Sequence, residues 1–316
     1  MRRVIVGALC ACLAAQAYAR RVEPVTFPSV DRGPNAAVVR LRGLLLLPRS
    51  GAPSGGYPAV IAMHGCGGMY STRDGHGQEL AERLALRVDP LLRDGYAVLF
   101  VDSFRSRGLS EVCTIRIGER TISASRRRLD ALGALAYLAS RPDIARDRIA
   151  LVGWSHGGGS VLQAVNARDR AVAAFFDRPD APPFFRAAVA FYPGCTTPLK
   201  AGDRYLPGAP TRIHIGLLDD WTPAKTCVDL GAAMAARSED LLVTTYAGSY
   251  HAFDSPTGTV MHRTDVPNGV NPGQGVHVGP NPVAREAANA SVRAFLRERL
   301  APPPIPTHPA ASSGAS

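Results

Sequence analysis

Residues 148–159, Arg-Ile-Ala-Leu-Val-Gly-Trp-Ser-His-Gly-Gly-Gly, run from an apolar strand pattern through a glycine-flanked turn carrying Ser155 and into the start of a helix. A tight strand-to-helix turn lifts a serine hydroxyl clear of the sheet, and small residues beside it tolerate the crowded backbone. The helix that begins directly after Ser155 turns its N–H groups toward any negative charge developing there. Outward from this stretch, short apolar runs alternate with helical patterns from Val38 onward. That alternation predicts an α/β fold with a mostly parallel central sheet and helices on both faces. Strands are expected over residues 38–47, 59–64, 97–102, 148–153, 187–192, 212–218 and 241–246, and helices near 78–93, 121–140, 156–167, 223–236 and 283–300. Residues 254–282, rich in Gly, Pro and Asn, read as one long loop. No compositional break divides the chain, so one domain over residues 20–300 is expected, followed by a disordered Pro- and Ala-rich tail over 301–316.

With 316 residues, 46% hydrophobic and 20% charged, the chain is long and apolar enough to bury a sizeable core. A formal net charge of +10 raises the question of nucleic acid or an anionic membrane surface as partner. Lys200 and Lys225 are the only lysines, and apart from Arg126, Arg127 and Arg128 the arginines are scattered, so no nucleic-acid partner is expected. Three consecutive helical positions point in different directions, and Arg126–Arg128 are read as mainly solvated.

The chain begins with Arg2 and Arg3, continues through an apolar run over 4–15 and reaches Ala17-Tyr18-Ala19, a small-x-small cleavage pattern. This predicts a cleavable export signal over residues 1–19, too short to span a bilayer, and a periplasmic or extracellular mature chain. No later segment is apolar for long enough to cross a membrane. Cleavage removes Cys10 and Cys12 and leaves Cys66, Cys113, Cys195 and Cys227, an even set in an oxidising compartment, so two disulfides are expected. Four cysteines allow three connectivities; chain order favours pairing Cys66 with Cys113 and Cys195 with Cys227.

A serine hydroxyl is a weak nucleophile until a histidine takes its proton and a carboxylate holds that histidine in the right tautomer. The chain order expected for a serine on such a turn is Ser, acid, His. The downstream histidines are His156, His214, His251, His262, His277 and His308. His156 belongs to the turn, His214 lies mid-strand and His308 lies in the tail. His251 follows the last expected strand and precedes the final helix, so it is the expected base, with His262 as the substitute. Asp219-Asp220 close the strand over 212–218 at the carboxyl end of the sheet, where such folds build sites. Asp219 is favoured as the acid, and Asp220 is expected to cap the helix starting near Pro223.

An acyl oxyanion needs two backbone donors. The N–H of His156, directly after Ser155, supplies one. The loop His64-Gly65-Cys66-Gly67-Gly68 supplies the other, with Cys66 N–H the expected donor. Arg105 and Arg107, after the strand ending at Asp102, are candidates to bind a substrate carboxylate. Trp154 and Trp221 flank the reactive positions and could line a pocket. The sequence has no phosphate-binding loop, no dinucleotide fingerprint and no clustered metal-ligand spacing, so a cofactor-free enzyme is expected. No motif speaks to oligomeric state.

At these residues the chain resembles the dienelactone hydrolase family of α/β-hydrolases, from about Val38 to Leu300. The resemblance is carried by His64-Gly65-Cys66-Gly67-Gly68, Asp102-Ser103-Phe104, Arg128-Leu129-Asp130-Ala131-Leu132, Gly153-Trp154-Ser155-His156-Gly157-Gly158, Phe191-Tyr192-Pro193, the run from Gly216 to Ala224, and Tyr250-His251-Ala252-Phe253-Asp254. It implies a triad of Ser155, Asp219 and His251, the set already reached by spacing. The namesake enzymes use a cysteine nucleophile where Ser155 stands, so the implied activity is hydrolysis of carboxylic esters or lactones with a small-molecule substrate. An exported peptidase or amidase on the same fold, and a non-catalytic binding protein on a hydrolase scaffold, are the alternatives.

Overall fold

The computed structural model describes residues 21–302. The expected signal segment, and all of the expected tail beyond Pro302, lie outside the described residues. Ten strands and seven α-helices are described: β1 Arg21–Arg32, β2 Val38–Leu47, β3 Tyr57–Met63, α1 Glu82–Arg93, β4 Ala97–Asp102, α2 Ala124–Ala139, β5 Ile144–Trp154, α3 His156–Ala164, α4 Arg170–Phe176, β6 Ala187–Phe191, α5 Thr196–Ala201, β7 Thr211–Gly216, α6 Ala224–Ala235, β8 Leu241–Tyr246, β9 Met261–Arg263, β10 Val276–Val278 and α7 Pro282–Arg299. Eight strands form one sheet in the order β1-β2-β4-β3-β5-β6-β7-β8. β1 and β2 join antiparallel, and the six strands from β4 to β8 are mutually parallel. This is the mostly parallel α/β sheet that the alternation predicted.

Central strands carry unbroken apolar runs because helices cover both faces of a parallel sheet. Every residue of β4, Ala-Val-Leu-Phe-Val-Asp, is buried, and so is every residue of β6. The edge behaves differently. β1 was not among the expected strands: its inward positions include Ser29 and Asp31, and Pro24 and Pro28 interrupt the pattern on its exposed face. Proline is tolerated there because an edge strand pairs on one side only.

Helix limits also shift. Residues 78–81 are not helical, because Leu80 forms an antiparallel bridge with Tyr70 and Ala81 N–H donates to the Met69 carbonyl. The expected helix over 156–167 stops at Ala164, and α4 starts afresh behind Asp169, whose carboxylate accepts the N–H groups of Ala171 and Val172. The loop over 254–282 contains a hairpin, β9 paired antiparallel with β10. Among the described residues, no helix is long and apolar enough to cross a membrane.

The cysteines pair sequentially, Cys66 with Cys113 and Cys195 with Cys227. Both bridges join segments that follow parallel strands, at the edge where the carboxyl ends of β3, β5, β6, β7 and β8 bring their following loops together. In the chain-entropy account each closed loop of this length contributes about 4 kcal/mol.

Candidate active site

Ser155 stands between β5 and α3 with φ 53° and ψ −118°. A positive φ at a non-glycine residue costs roughly 1–3 kcal/mol and persists only where the surroundings enforce it. Close packing enforces it here. A Cβ on Gly153 would meet the Gly157 carbonyl oxygen at 2.4 Å, and one on Gly157 would meet the Met63 carbonyl oxygen at 2.0 Å. The turn can form only because both positions lack side chains.

The loop after β8 brings His251 to this turn. Its Nε2 lies 2.8 Å from Ser155 Oγ, and its Nδ1 lies 2.8 Å from Asp219 Oδ2. A carboxylate only accepts, so Nδ1–H donates to Asp219 and the Nε2 lone pair is left to accept the Ser155 hydroxyl proton. Asp219 is 4% exposed and His251 2%. The other Asp219 oxygen accepts the N–H groups of Trp221 and Thr222, at 2.9 and 2.8 Å. The rings of Tyr192 and Trp221 also pack against the imidazole, tilted by 59° and 44°, with centroids 4.5 Å and 4.7 Å away.

Tyr192 is held in turn by Asp254. That buried carboxylate accepts from the Tyr192 hydroxyl at 2.6 Å, Arg87 at 2.8 Å and Trp154 Nε1 at 2.8 Å. Arg87 and Asp254 were not singled out in the sequence, although Asp254 lies within the Tyr-His-Ala-Phe-Asp run.

Ser155, His156, Cys66 and Trp221 line one cavity of about 450 Å³. Its wall includes the first turns of α2, α3 and α6, and Arg120, with no carboxylate among the lining side chains. Helix N-termini and an arginine make this a region that favours negative charge. Burial lowers the Arg120 pKa from its ordinary value, with Glu111 acting in the opposite direction.

Several expected positions fall elsewhere. Asp220 does not cap α6: its carboxylate accepts the His277 backbone N–H at 2.8 Å and faces His277 Nδ1 at 2.7 Å, while the position before α6 is Pro223 and makes no side-chain cap. His262 stacks on His277 in the β9–β10 hairpin, not on Ser155. Arg105 does not line the Ser155 cavity; it stacks over Tyr70 beside a separate cavity of about 370 Å³ that Cys113 also lines. Arg107 is buried in ion pairs with Asp31 and Asp130. Trp154 is a core residue, stacked between Phe100 and Phe191.

Nor are the three consecutive arginines solvated. Arg127 is fully buried, Arg128 pairs with Asp169 and Arg126 with Asp31. The helix carrying them packs on both β1 and α3, which leaves no fully solvated side for such a run.

The sequence matches the dienelactone hydrolase family over residues 42–300. Among solved structures, a putative dienelactone hydrolase from Klebsiella pneumoniae subsp. pneumoniae MGH 78578 is similar at TM-score 0.60 and 13% identity, covering 89% of this chain and 99% of that one. A dienelactone hydrolase-like promiscuous phosphotriesterase from metagenomic libraries is similar at TM-score 0.57 and 15% identity, covering 88% and 98%. Thermogutta terrifontis esterase 2, phosphorylated by paraoxon, is similar at TM-score 0.55 and 15% identity, covering 90% and 96%. A search of curated proteins finds no match.

Proposed function

The chain belongs to the dienelactone hydrolase family, and on that premise we propose that it is a serine hydrolase cleaving carboxylic esters or lactones through an acyl-enzyme. The observation that carries this reading is the continuous path from Asp219 Oδ2 to His251 and from His251 Nε2 to Ser155 Oγ, with both hydrogen bonds at 2.8 Å. Ser155 Oγ attacks the ester carbonyl as His251 Nε2 takes its proton. Asp219 keeps the imidazole in the accepting tautomer and stabilises the imidazolium that forms. The backbone N–H groups of His156 and Cys66 receive the oxyanion. Collapse of the tetrahedral intermediate expels the alcohol, which takes the proton from His251. Water, deprotonated by the same nitrogen, then releases the acid.

The cavity supports substrates that carry negative charge in the acyl or alcohol portion. Arg120 takes the place in this reading that the sequence suggested for Arg105, because Arg120 lines the Ser155 cavity. Two disulfides support residence in the periplasm or outside the cell.

The test is a fluorophosphonate probe together with short, medium and carboxylate-bearing p-nitrophenyl esters, applied to the wild type and Ser155→Ala. Labelling and turnover are expected in the wild type and lost in the variant, and Arg120→Met is expected to raise KM for the carboxylate-bearing ester selectively. Hydrolysis of peptide anilides without ester hydrolysis would select the amidase reading instead. A wild type that reacts with none of these reagents would leave the scaffold without the proposed chemistry.

A further inference from the structure

Arg127 is a large, fully buried cation on the first turn of α2. Its charge is not neutralised by contact. Asp130, one turn along, is occupied by Arg107 and by the Ser29 hydroxyl. Phe104 packs under the guanidinium at 5.1 Å. The one side-chain hydrogen bond Arg127 makes is from an Nη to His156 Nδ1, at 2.9 Å; its Nε and other Nη have no partner among the described residues. Asp130 and Asp102 favour its charge without touching it and Arg107 opposes it, and a buried cation with no carboxylate in contact is expensive. Burial lowers the Arg127 pKa to about 9, so the group still carries its charge at neutral pH.

A guanidinium has donors and no acceptor. The 2.9 Å contact can therefore only be an N–H pointing into the lone pair of His156 Nδ1, and the single proton of the neutral imidazole must sit on Nε2. Protonating His156 would remove that lone pair and set a second cation against Arg127. Burial and the Arg127 charge together hold the His156 pKa well below its ordinary value. Arg120 acts in the same direction, and the backbone at Ile122 acts in the opposite one. The His156 side chain is thus tied to the first turn of α2, beside Arg120 and Ser123 in the wall of the Ser155 cavity. Its backbone N–H is the donor that directly follows Ser155.

We propose that Arg127 is a positioning residue for the hydrolytic site: by fixing His156 as the neutral Nε2–H tautomer, it registers the donor after Ser155 against the wall of the substrate cavity. The inference rests on Ser155 being the nucleophile. Arg127 touches no reacting atom and acts through His156.

The experiment combines ester kinetics of Arg127→Met and Arg127→Lys with 15N spectra of histidine-labelled protein, wild type included. In Arg127→Met, kcat is expected to fall on the order of 10- to 100-fold with KM little changed, as for a displaced catalytic group. The acidic limb of its pH–rate profile should move toward higher pH, because the Arg127 charge no longer adds to burial in keeping His156 neutral; Arg127→Lys should recover most of the rate. In the wild type, His156 should stay neutral and Nε2-protonated well below the ordinary histidine value. A folded Arg127→Met protein with wild-type kcat and an unchanged pH profile would overturn the proposal. So would a wild-type His156 that carries its proton on Nδ1 or titrates between pH 6 and 7, whether or not the variants fold. If Ser155 is not the nucleophile, the wild type takes no fluorophosphonate, and the spectra still judge the Arg127–His156 brace by itself.

Discussion

Asp219 and Asp220 are neighbours in the chain, and each faces a histidine Nδ1 at nearly the same distance, 2.8 Å to His251 and 2.7 Å to His277. Their surroundings separate them. The side chains of the first pair are 0% and 3% exposed, those of the second 31% and 42%. His251 has Ser155 on its far nitrogen and two aromatic rings packed against it, whereas His277 packs on His262 and Tyr250. Under the proposed reading, an acid–histidine pair serves catalysis when a third group completes it and water is kept out, the carboxylate orienting the histidine without taking its proton; in the open, the same pair is a structural clip. Asp220 shows what it clips, because its side chain holds His277 and its carbonyl accepts the Val270 N–H, fastening the hairpin beside His251.

The sharpest way to break this comparison is to remove the same charge from each acid. Asp219→Asn should lower kcat for ester hydrolysis by about 10⁴-fold, since an amide can hold His251 in the wrong tautomer. Asp220→Asn should change kcat by less than about 3-fold, because the proposed relay does not pass through it. Parallel kinetics of the two variants on one p-nitrophenyl ester make the measurement. Comparable losses in both would mean that the two pairs act as one unit.

Burial also separates the histidines by their response to acid. His64, His156 and His214 are held neutral by burial, the last with its pKa lowered to about 4. Once the chain unfolds they titrate near 6.5, so below that pH the unfolded chain binds more protons and the fold loses stability. Each such histidine contributes a slope of at most about 1.4 kcal/mol per pH unit between its unfolded and folded values. Urea unfolding at pH 7, 6 and 5 should therefore show falling stability, and His214→Asn should flatten the slope. A stability unchanged over that range would mean these side chains take up protons in the folded state.

The meeting of Ser155, His251 and Asp219 was legible in the sequence and that of Asp220 and His277 was not, for a physical reason. Ser155, Asp219 and His251 each follow a parallel strand, and a parallel sheet gathers the residues after its strands at one edge. Asp220 and His277 meet only because residues 261–278 fold into a short hairpin, whose three-residue strands leave no periodic signal amid glycine and proline. β1 was hidden similarly, by polar residues on its inward face. Arg127 had a readable signal: it lies in phase with Ala131, Ala134 and Leu138, the buried stripe of α2. Three consecutive arginines masked that phase, since the run looks solvated until helical positions are assigned one by one.

The smallest effect expected is that of cutting the clip from the histidine side. His277→Ala removes a half-exposed hydrogen bond to the Asp220 carboxylate and two ring contacts. Exposed pairs contribute about 0–1 kcal/mol, so the loss of stability should stay near 1 kcal/mol. The hairpin would keep its backbone ties to the relay: Val278 bridges His251, and the Gly279 N–H donates to the His251 carbonyl at 3.0 Å. Because those ties do not involve the His277 side chain, kcat should fall by less than about 3-fold, well short of the loss that removing a relay member brings. Urea unfolding and ester kinetics on His277→Ala read the two quantities separately. A large fall in kcat with stability preserved would show that the His277 ring, and not the backbone of its strand, sets the position of His251.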